Sequence, residues 1–272
     1  METITSAQNP KIKNLLLLQE KSKARREQGL FVVEGRRELE HCIEAGYSVR
    51  TVFVCNEIAG QAGNDLRQAD NDLRHARPDR ASQIIEIPEA LYRKVAYRES
   101  TEGIIAEVEY KERKLSDLRL PENPLIMVLE SVEKPGNLGA VLRSADAAGA
   151  DAVLICDPLT DLYNPNLIRA SIGAVFTVPT VACSSEEAIT FLQDRGIQIL
   201  TAQLQDSSLY YDIDMRRGTA LVMGTESTGL TDQWRKAASA HIRIPMLGHL
   251  DSLNVSVSAA ILLFEAVRQR QI

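Results

Sequence analysis

The chain of 272 residues lacks the features that identify a disulfide-stabilised, metal-binding or membrane-spanning protein. Its four cysteines form no C-x-x-C pair, so we expect neither a disulfide framework nor a metal site. No apolar run reaches the roughly 18 residues of a transmembrane helix, and the opening "METITSAQNPKIK" has no apolar segment of a signal peptide. These absences favour a reduced, cytoplasmic protein that uses no metal and no membrane.

An excess of positive charge, which is typical of nucleic-acid-binding proteins, is also missing, because the net charge is −6. The charges are unevenly distributed, however. Residues 1–37 carry eight basic and four acidic side chains, whereas residues 123–272 carry 11 basic and 16 acidic ones. We therefore expect the first segment to contact RNA phosphates, although a solvated helix face gives the same pattern.

Helix and strand patterns alternate in the first half. The strands "LFVVEG", "VRTVFVC", "SQIIEIP" and "GIIAEVEY" are separated by helical or polar segments. The first helix is predicted from about Asn9, with Ser6 as a candidate N-cap and Gly29 as its stop. Residues 60–80 are predicted to form a helix followed by a loop. We predict an α/β domain over residues 1–110 and a linker over residues 111–122, "KERKLSDLRLPE".

The second half, residues 123–272, contains near-continuous apolar strands. They read "LIMVLE", "AVLIC", "FTVPTVA", "IQILTA", "ALVMG" and "HIRIPM". Strands of this kind, alternating with helices, are typical of a parallel sheet that is buried on both faces. Ligands of such sheets bind at the carboxyl ends of the strands. The candidate functional residues are therefore those that directly follow a strand.

Two strand ends carry glycines beside polar residues. In "LESVEKPGNLGAVLR", Asn137 is a candidate N-cap of a helix that presents Arg143, and free N–H groups at such a helix start can bind a ligand. In "ALVMGTESTGL", Gly224 and Gly229 flank Glu226, and a glycine permits close approach to the backbone. Taken singly, an ordinary strand–turn–helix and a glycine-rich turn explain these patterns as well.

The third strand end is "IPMLGHLDSLNVSVSAA". It begins with Ile244 and Met246 at a strand that stops at a proline, and it continues with Ser252, Leu253 and Asn254 before a long apolar helix. Ser252 is a candidate N-cap of that helix, which accounts for only one of its polar residues. The small and apolar faces of the helix also suit a subunit or domain interface.

Together and in this order, the three stretches resemble the SpoU family of ribose 2′-O-methyltransferases, also called the TrmH family, within the SPOUT superfamily. The positions that carry the resemblance are Asn137, Gly139 and Arg143, then Gly224, Glu226 and Gly229, then residues 244–246 and 252–256. The intervening "RASIGAVFTVP" is also similar. The first half more loosely resembles a substrate-binding domain related to ribosomal protein L30e, through "FVVEGRREL" and "TEGIIAEV".

The resemblance implies an α/β protein with an N-terminal L30e-like domain and a C-terminal SPOUT domain, whose parallel sheet contains a deep trefoil knot. It implies S-adenosyl-L-methionine as the cofactor, held by backbone groups at Gly224, Ile244 and Leu253. Met246 and Ser252 belong to the same predicted cofactor-binding set. It also implies a homodimer through the C-terminal helices.

The resemblance implies catalytic roles as well. Arg143 would act on the ribose hydroxyl, either by losing its proton in a desolvated setting or by stabilising the oxygen as a cation. Asn137 would hold the substrate or Arg143 in place. Glu226 and Asn254 would shape the loop around the cofactor.

The predicted function is S-adenosylmethionine-dependent methylation of a ribose 2′-hydroxyl in structured RNA, with rRNA favoured over tRNA by the first domain. The alternative is a non-catalytic RNA-binding or ribosome-assembly protein of the L30e type. That alternative explains the basic first segment, but it assigns no function to the residues at the three strand ends. A dinucleotide-dependent oxidoreductase is disfavoured because G-x-G-x-x-G is missing, and a serine hydrolase because G-x-S-x-G is missing.

Overall fold

The computed structural model describes residues 2–61, 83–97, 102–225, 228–249 and 252–271. The predicted helix and loop of residues 60–80 fall almost entirely outside these ranges. The chain forms two compact units, of which the first contains Met1–Lys111 with Tyr163–Thr177 and the second contains Glu112–Leu162 with Val178–Ile272. Within the described ranges, no helix combines the length and the apolar character that crossing a bilayer requires.

The first unit is built on a mixed five-stranded sheet in the order β1-β4-β3-β5-β2. Its strands are β1 (Glu2–Thr3), β2 (Leu30–Glu34), β3 (Val49–Val54), β4 (Gln83–Glu86) and β5 (Ile104–Glu109). β5 runs antiparallel to β2 and β3, whereas β4 runs parallel to β1 and β3. The described helices are Pro10–Glu20, Ser22–Gln28, Arg36–Glu44, Asn56–Gln61, Glu89–Val95, Pro165–Ser171 and Ala174–Thr177.

The start of the chain differs from the prediction in two details. The single predicted helix is divided at Lys21, whose extended backbone (φ −110°, ψ 109°) separates two helices. Asn9, not Ser6, is the N-cap, because its side chain accepts a hydrogen bond from the N–H of Lys11. Gly29 ends the second helix with φ 63°, as a left-handed C-cap requires.

Residues 163–177 pack within the first unit through an aromatic cluster around Phe31. The Phe31 ring stacks on Tyr163 with centroids 4.2 Å apart and on Phe176 with centroids 5.9 Å apart. Tyr47 and Tyr110 meet Phe31 edge to face. The chain is poor in aromatic residues, yet five of them are gathered here. Phe176 joins this cluster from the helix Ala174–Thr177, so the predicted strand "FTVPTVA" begins only at Thr180.

The second unit is built on a seven-stranded sheet in the order β10-β12-β9-β11-β6-β7-β8. Every pair in it is parallel, as the apolar strand patterns predict. Its strands are β6 (Leu125–Glu130), β7 (Ala152–Cys156), β8 (Thr180–Cys183), β9 (Gln198–Ala202), β10 (Ser208–Leu209), β11 (Thr219–Met223) and β12 (Ala240–Arg243). Its helices are Pro135–Ala147, Ser185–Asp194, Asp232–Ala237 and Val255–Arg270.

The core of the second unit explains the strand pattern and includes residues of the predicted linker. The strands β6, β7 and β11 are buried along their whole length. Leu115, Leu118 and Leu120 of the predicted linker pack against the core cluster that contains Trp234. The trefoil knot implied by the family resemblance stays a prediction. Because all seven strands are parallel, their carboxyl ends meet at one edge of the sheet.

Candidate active site

The first-motif helix (Pro135–Ala147) follows β6 and buries one face, which includes Leu138, Val141 and Leu142. It begins three residues earlier than predicted, at Pro135, because proline suits the first helical position. Asn137 therefore lies inside the first turn and is not the N-cap, which corrects the sequence-based assignment. The side chain of Asn137 is half-buried.

The C-terminal helix (Val255–Arg270) is capped by Asn254 and not by Ser252, which corrects the third capping assignment. Oδ1 of Asn254 accepts hydrogen bonds from the N–H of Ser256 at 3.0 Å and from its hydroxyl at 2.6 Å. The extended backbone of Asn254 (φ −54°, ψ 139°) gives the side chain this reach.

Asn137 and Asn254, both predicted as catalytic residues, are brought into contact. Nδ2 of Asn254 donates a hydrogen bond to Oδ1 of Asn137 at 3.2 Å. The contact is possible because the C-terminal helix packs against the first-motif helix. The first and third motifs therefore form one polar junction, although 117 positions separate the two residues in the sequence.

The second-motif loop (residues 224–231) folds back on itself. The N–H of Gly229 donates to the carbonyl of Thr225 at 3.1 Å, and Gly229 has φ 67°, a conformation that favours glycine. A Cβ added to Gly224 would lie 2.3 Å from the carbonyl oxygen of Gly229. Gly224 is thus required by the neighbouring backbone of the loop itself. The third predicted residue of this motif, Glu226, lies outside the described residues.

A cavity of about 330 Å³ opens at the carboxyl ends of β9, β11 and β12. The residues predicted to bind the cofactor all line it; they are Gly224, Ile244, Met246, Ser252 and Leu253. The C-terminal helix contributes Val255, Ser258 and Leu262 to the same wall. Residues that the sequence placed in two separate motifs therefore surround one space.

Two cations give the cavity its polarity. Arg235 and Arg243 line it, and the guanidinium of Arg243 donates to the carbonyl of Ser207. Gln203 also lines it, and its Oε1 is buried without a hydrogen-bond partner among the described residues. A ligand of this cavity needs apolar surface and a negatively charged or acceptor group for the arginines.

A buried carboxylate connects the first motif to the second-motif loop. Glu130 ends β6 and is 2% exposed. It accepts hydrogen bonds from the N–H of Thr231 at 2.9 Å and from its hydroxyl at 2.6 Å. The hydroxyl of Ser185 lies 3.4 Å from Glu130, donates to Asp157 at 2.6 Å and accepts from the indole N–H of Trp234 at 2.9 Å. Glu130 therefore fixes the end of the loop whose residues Gly229 and Leu230 line the cavity.

The structure places Arg143 on the exposed surface of the first-motif helix, and Arg143 is not among the described residues that line the cavity. Sequence reasoning missed Gln203, Arg235, Glu130 and Thr231. Glu130 and Gln203 each stand at the carboxyl end of a predicted apolar strand, so the strand-end rule applied to every strand would have found them. No group of three or more His, Cys, Asp or Glu side chains in the described ranges is placed to hold a metal ion.

The sequence of the second half matches a known family. The model described as the SpoU rRNA Methylase family matches residues 124–264, which include the three motifs. The chain belongs to the SpoU rRNA methylase family. A second model, described as an MRM3-like substrate binding domain, matches residues 9–106. The predicted SpoU membership and the predicted substrate-binding domain in the first half are confirmed.

Similar proteins align with nearly the whole length of this chain. A 23S rRNA (uridine(2479)-2′-O)-methyltransferase of Streptomyces viridochromogenes is 31% identical over 249 residues, which are 89% of this chain and 84% of the relative. A crystal structure of an RNA 2′-O ribose methyltransferase is 39% identical, with a TM-score of 0.81 over 99% of this chain and 100% of that chain.

A third similar protein was solved with its cofactor. The crystal structure of an AdoMet-bound rRNA methyltransferase from Sinorhizobium meliloti is 28% identical, with a TM-score of 0.87 over 98% of this chain and 97% of that chain. The predicted α/β fold with a parallel sheet in the C-terminal domain is confirmed by these structures.

Proposed function

We propose that this protein methylates a ribose 2′-hydroxyl of ribosomal RNA, with S-adenosyl-L-methionine as the methyl donor. The observation that carries the proposal is the convergence of all five predicted cofactor residues on one cavity. The names of the S. viridochromogenes and S. meliloti relatives support rRNA as the substrate, and the AdoMet bound to the latter supports the cofactor. The first domain matches a substrate-binding model, which supports a role for it in recognising the rRNA substrate.

The chemistry of the cavity suits this cofactor. Apolar walls from Met223, Leu253 and Leu262 suit an adenine ring, and Arg235 and Arg243 suit a carboxylate. When bound, S-adenosylmethionine supplies an activated methyl group on its sulfonium. Backbone groups at Gly224, Ile244 and Leu253 would hold the adenosine part, with Met246 and Ser252 beside them, and the family resemblance assigns Glu226 to the loop around the cofactor.

Arg143 acts on the ribose hydroxyl from the surface of the first-motif helix. An exposed guanidinium can donate hydrogen bonds to the oxygen as negative charge develops there, and this is the role that we assign to it. Asn137, fixed by Asn254, orients the ribose or the guanidinium.

The C-terminal helix provides the surface for a second copy of the chain. Val257 and Phe264 are 47% and 48% exposed, and seven positions separate them, so they lie on one face of the helix. Leu262, by contrast, is 1% exposed and belongs to the core of its own unit. We infer a homodimer through Val257 and Phe264, in which both copies cover this apolar face.

The basic side chains of residues 1–37 contact RNA phosphates, and the protein acts in the cytoplasm, where its rRNA substrate is found. Residues 1–110 form the RNA-binding domain and residues 123–272 the catalytic domain, joined by residues 111–122.

Calorimetric titration with S-adenosylmethionine tests the proposal against the non-catalytic alternative. A methyltransferase binds the cofactor with a micromolar or tighter dissociation constant, and a variant that fills the glycine position, Gly224→Val, loses the binding. A wild-type protein that binds rRNA and gives no heat with the cofactor would support the RNA-binding alternative.

A further inference from the structure

Arg235 lies on the helix Asp232–Ala237, which directly follows the second-motif loop. This helix is anchored, because Glu130 accepts hydrogen bonds from Thr231 and because the side chain of Trp234 is completely buried. The backbone of Arg235 therefore has a fixed position. A ligand that binds Arg235 has to order only the side chain, which limits the entropy that binding costs.

The charged end of Arg235 lies beside the wall of the cavity. Arg235 is exposed and lines the cavity, and a Cβ built on Gly229 would lie 4.0 Å from its Nη2. Gly229 lines the same cavity, so the guanidinium stands next to the wall that the second-motif loop forms. Because the side chain is exposed, a bound molecule can reach it from the cavity.

The two arginines of the cavity differ in what they already bind. Arg243 is half-buried, and its guanidinium donates to the carbonyl of Ser207. Arg235 makes no side-chain hydrogen bond and no ion pair with any residue that the structure describes. A guanidinium without a partner can offer two parallel N–H groups to one carboxylate. Arg235 is therefore the more suitable anion receptor of the two.

The cavity also favours one orientation of the proposed cofactor. Its apolar walls at Met223, Leu253 and Leu262 suit the adenine ring, whereas burying a carboxylate among them would be costly. S-adenosylmethionine carries its carboxylate at the end of the methionine part, away from the adenine. An adenine against the apolar wall and a carboxylate at the exposed Arg235 satisfy both requirements.

We propose that Arg235, rather than Arg243, binds the carboxylate of the cofactor's methionine part. The inference rests on the proposed cofactor and adds a side chain outside the positions that carry the family resemblance. Arg235 thus distinguishes S-adenosylmethionine from adenosine compounds that lack the carboxylate.

The test compares two probes by calorimetry, S-adenosylmethionine and its decarboxylated form, which keeps the sulfonium and the amine and lacks only the carboxylate. Wild type should prefer the first probe. In Arg235→Met, an unbranched side chain without charge, the dissociation constant for S-adenosylmethionine should rise about 5- to 10-fold, as for the loss of a charge-assisted hydrogen bond near solvent. The constant for the decarboxylated probe should stay unchanged or fall.

Three further variants serve as comparisons. Lys236→Met removes the same charge from the next position of the helix, which is exposed and does not line the cavity, and should leave both constants unchanged. Arg235→Lys keeps the charge without the planar fork and should retain part of the preference. Arg243→Met should change both constants by the same factor, because Arg243 acts on the loop at Ser207.

Several outcomes would overturn the inference. They are a wild type that binds both probes equally, an equal change for both probes in Arg235→Met, and a loss of preference in Arg243→Met. Unchanged cofactor affinity with weakened rRNA binding in Arg235→Met would assign Arg235 to an RNA phosphate instead. A wild-type protein that binds neither probe would refute the proposed function itself.

Discussion

Asn254 makes two contacts with opposite ends of one amide, since its carbonyl oxygen caps the C-terminal helix while its amide nitrogen donates to Asn137. The capping bond to Ser256 measures 3.0 Å and the bond to Asn137 measures 3.2 Å. One side chain therefore couples the end of the third motif, which lines the cavity, to the helix that carries Arg143.

The coupling predicts a separable effect for Asn254→Asp. An aspartate still caps the helix, but it donates nothing to Asn137 and places a carboxylate against that residue's oxygen. We expect the unfolding temperature to change little and methyl transfer to fall about ten-fold or more, as for one lost hydrogen bond plus repulsion. Single-turnover methylation beside thermal unfolding measures both.

Asn164 offers the matched control for that substitution. It caps the helix Pro165–Ser171 through the same bond geometry, with Oδ1 accepting from the N–H of Asn166 at 2.9 Å. Asn164→Asp should leave turnover unchanged. Equal losses in Asn254→Asp and Asn164→Asp would contradict a specific role for the Asn137 contact.

Arg143 should matter for turnover and not for cofactor binding, because it does not line the cavity. We expect Arg143→Ala and Arg143→Lys to lower the single-turnover rate by about 10²–10³-fold, as for the loss of one preorganised stabilising group. Lysine fails because it lacks the planar guanidinium fork. Calorimetry should give near-wild-type cofactor affinity for both variants, and Lys236→Ala is the control. Near-normal turnover of Arg143→Ala would show that the catalytic assignment is wrong.

Glu130 should act through the second-motif loop. In Glu130→Gln, one of the two acceptors for Thr231 is replaced by an NH₂ group, so the loop loses a charge-assisted hydrogen bond. We expect cofactor affinity to fall about ten-fold, with a smaller change in the rate at saturating cofactor. Glu89→Gln, which alters an exposed ion pair with Arg93, is the control. A lowered rate at saturation with unchanged affinity would contradict the positioning role.

The proposed dimer is tested at Phe264. Because this side chain is exposed, Phe264→Asp should leave the fold of the single chain intact and place an unpaired charge in the interface, at a cost of about 2 kcal/mol or more. Sedimentation velocity should show the wild type as a dimer and the variant as a monomer with reduced activity. Gln271→Asp, at the end of the same helix, is the control. A fully active wild-type monomer would refute the dimer.

The buried carboxyl of Glu107 should make the free energy of unfolding depend on pH. Burial in the first unit raises the pKa of Glu107 above its ordinary value of 4.5, with the hydrogen bond from Thr51 opposing the rise. The folded state therefore favours the protonated carboxyl, and this stabilisation is lost as the pH rises through the raised pKa. Near neutral pH, Glu107→Gln should unfold at a higher temperature than wild type. Below about pH 4 the difference should disappear.

The sequence predicted the parts of the fold that depend on local apolar patterns. The stretch "LIMVLE" forms the six residues of β6, and the parallel pairing follows from strands that are apolar on both faces. The clustering of Gly224, Ile244 and Leu253 was also predictable in outline, because parallel strands end at one edge.

Features that depend on tertiary contacts were not predictable from local sequence. Ser252 and Asn254 are equally good capping residues by type, and only the backbone angles of the loop select Asn254. The packing of Tyr163 against Phe31 joins residues that are distant in the sequence, so no local pattern predicts it. Arg235 matches no motif, and only the fold shows that it lines the cavity.

The most direct test of the account is to incubate the protein with unmodified rRNA and S-adenosylmethionine carrying a labelled methyl group, and then to map the label. The account predicts label at a ribose 2′-oxygen of one or a few nucleotides, and no label with Arg143→Ala at equal cofactor occupancy. Label on a base, or no transfer to rRNA by a wild-type protein that binds the cofactor, would contradict it.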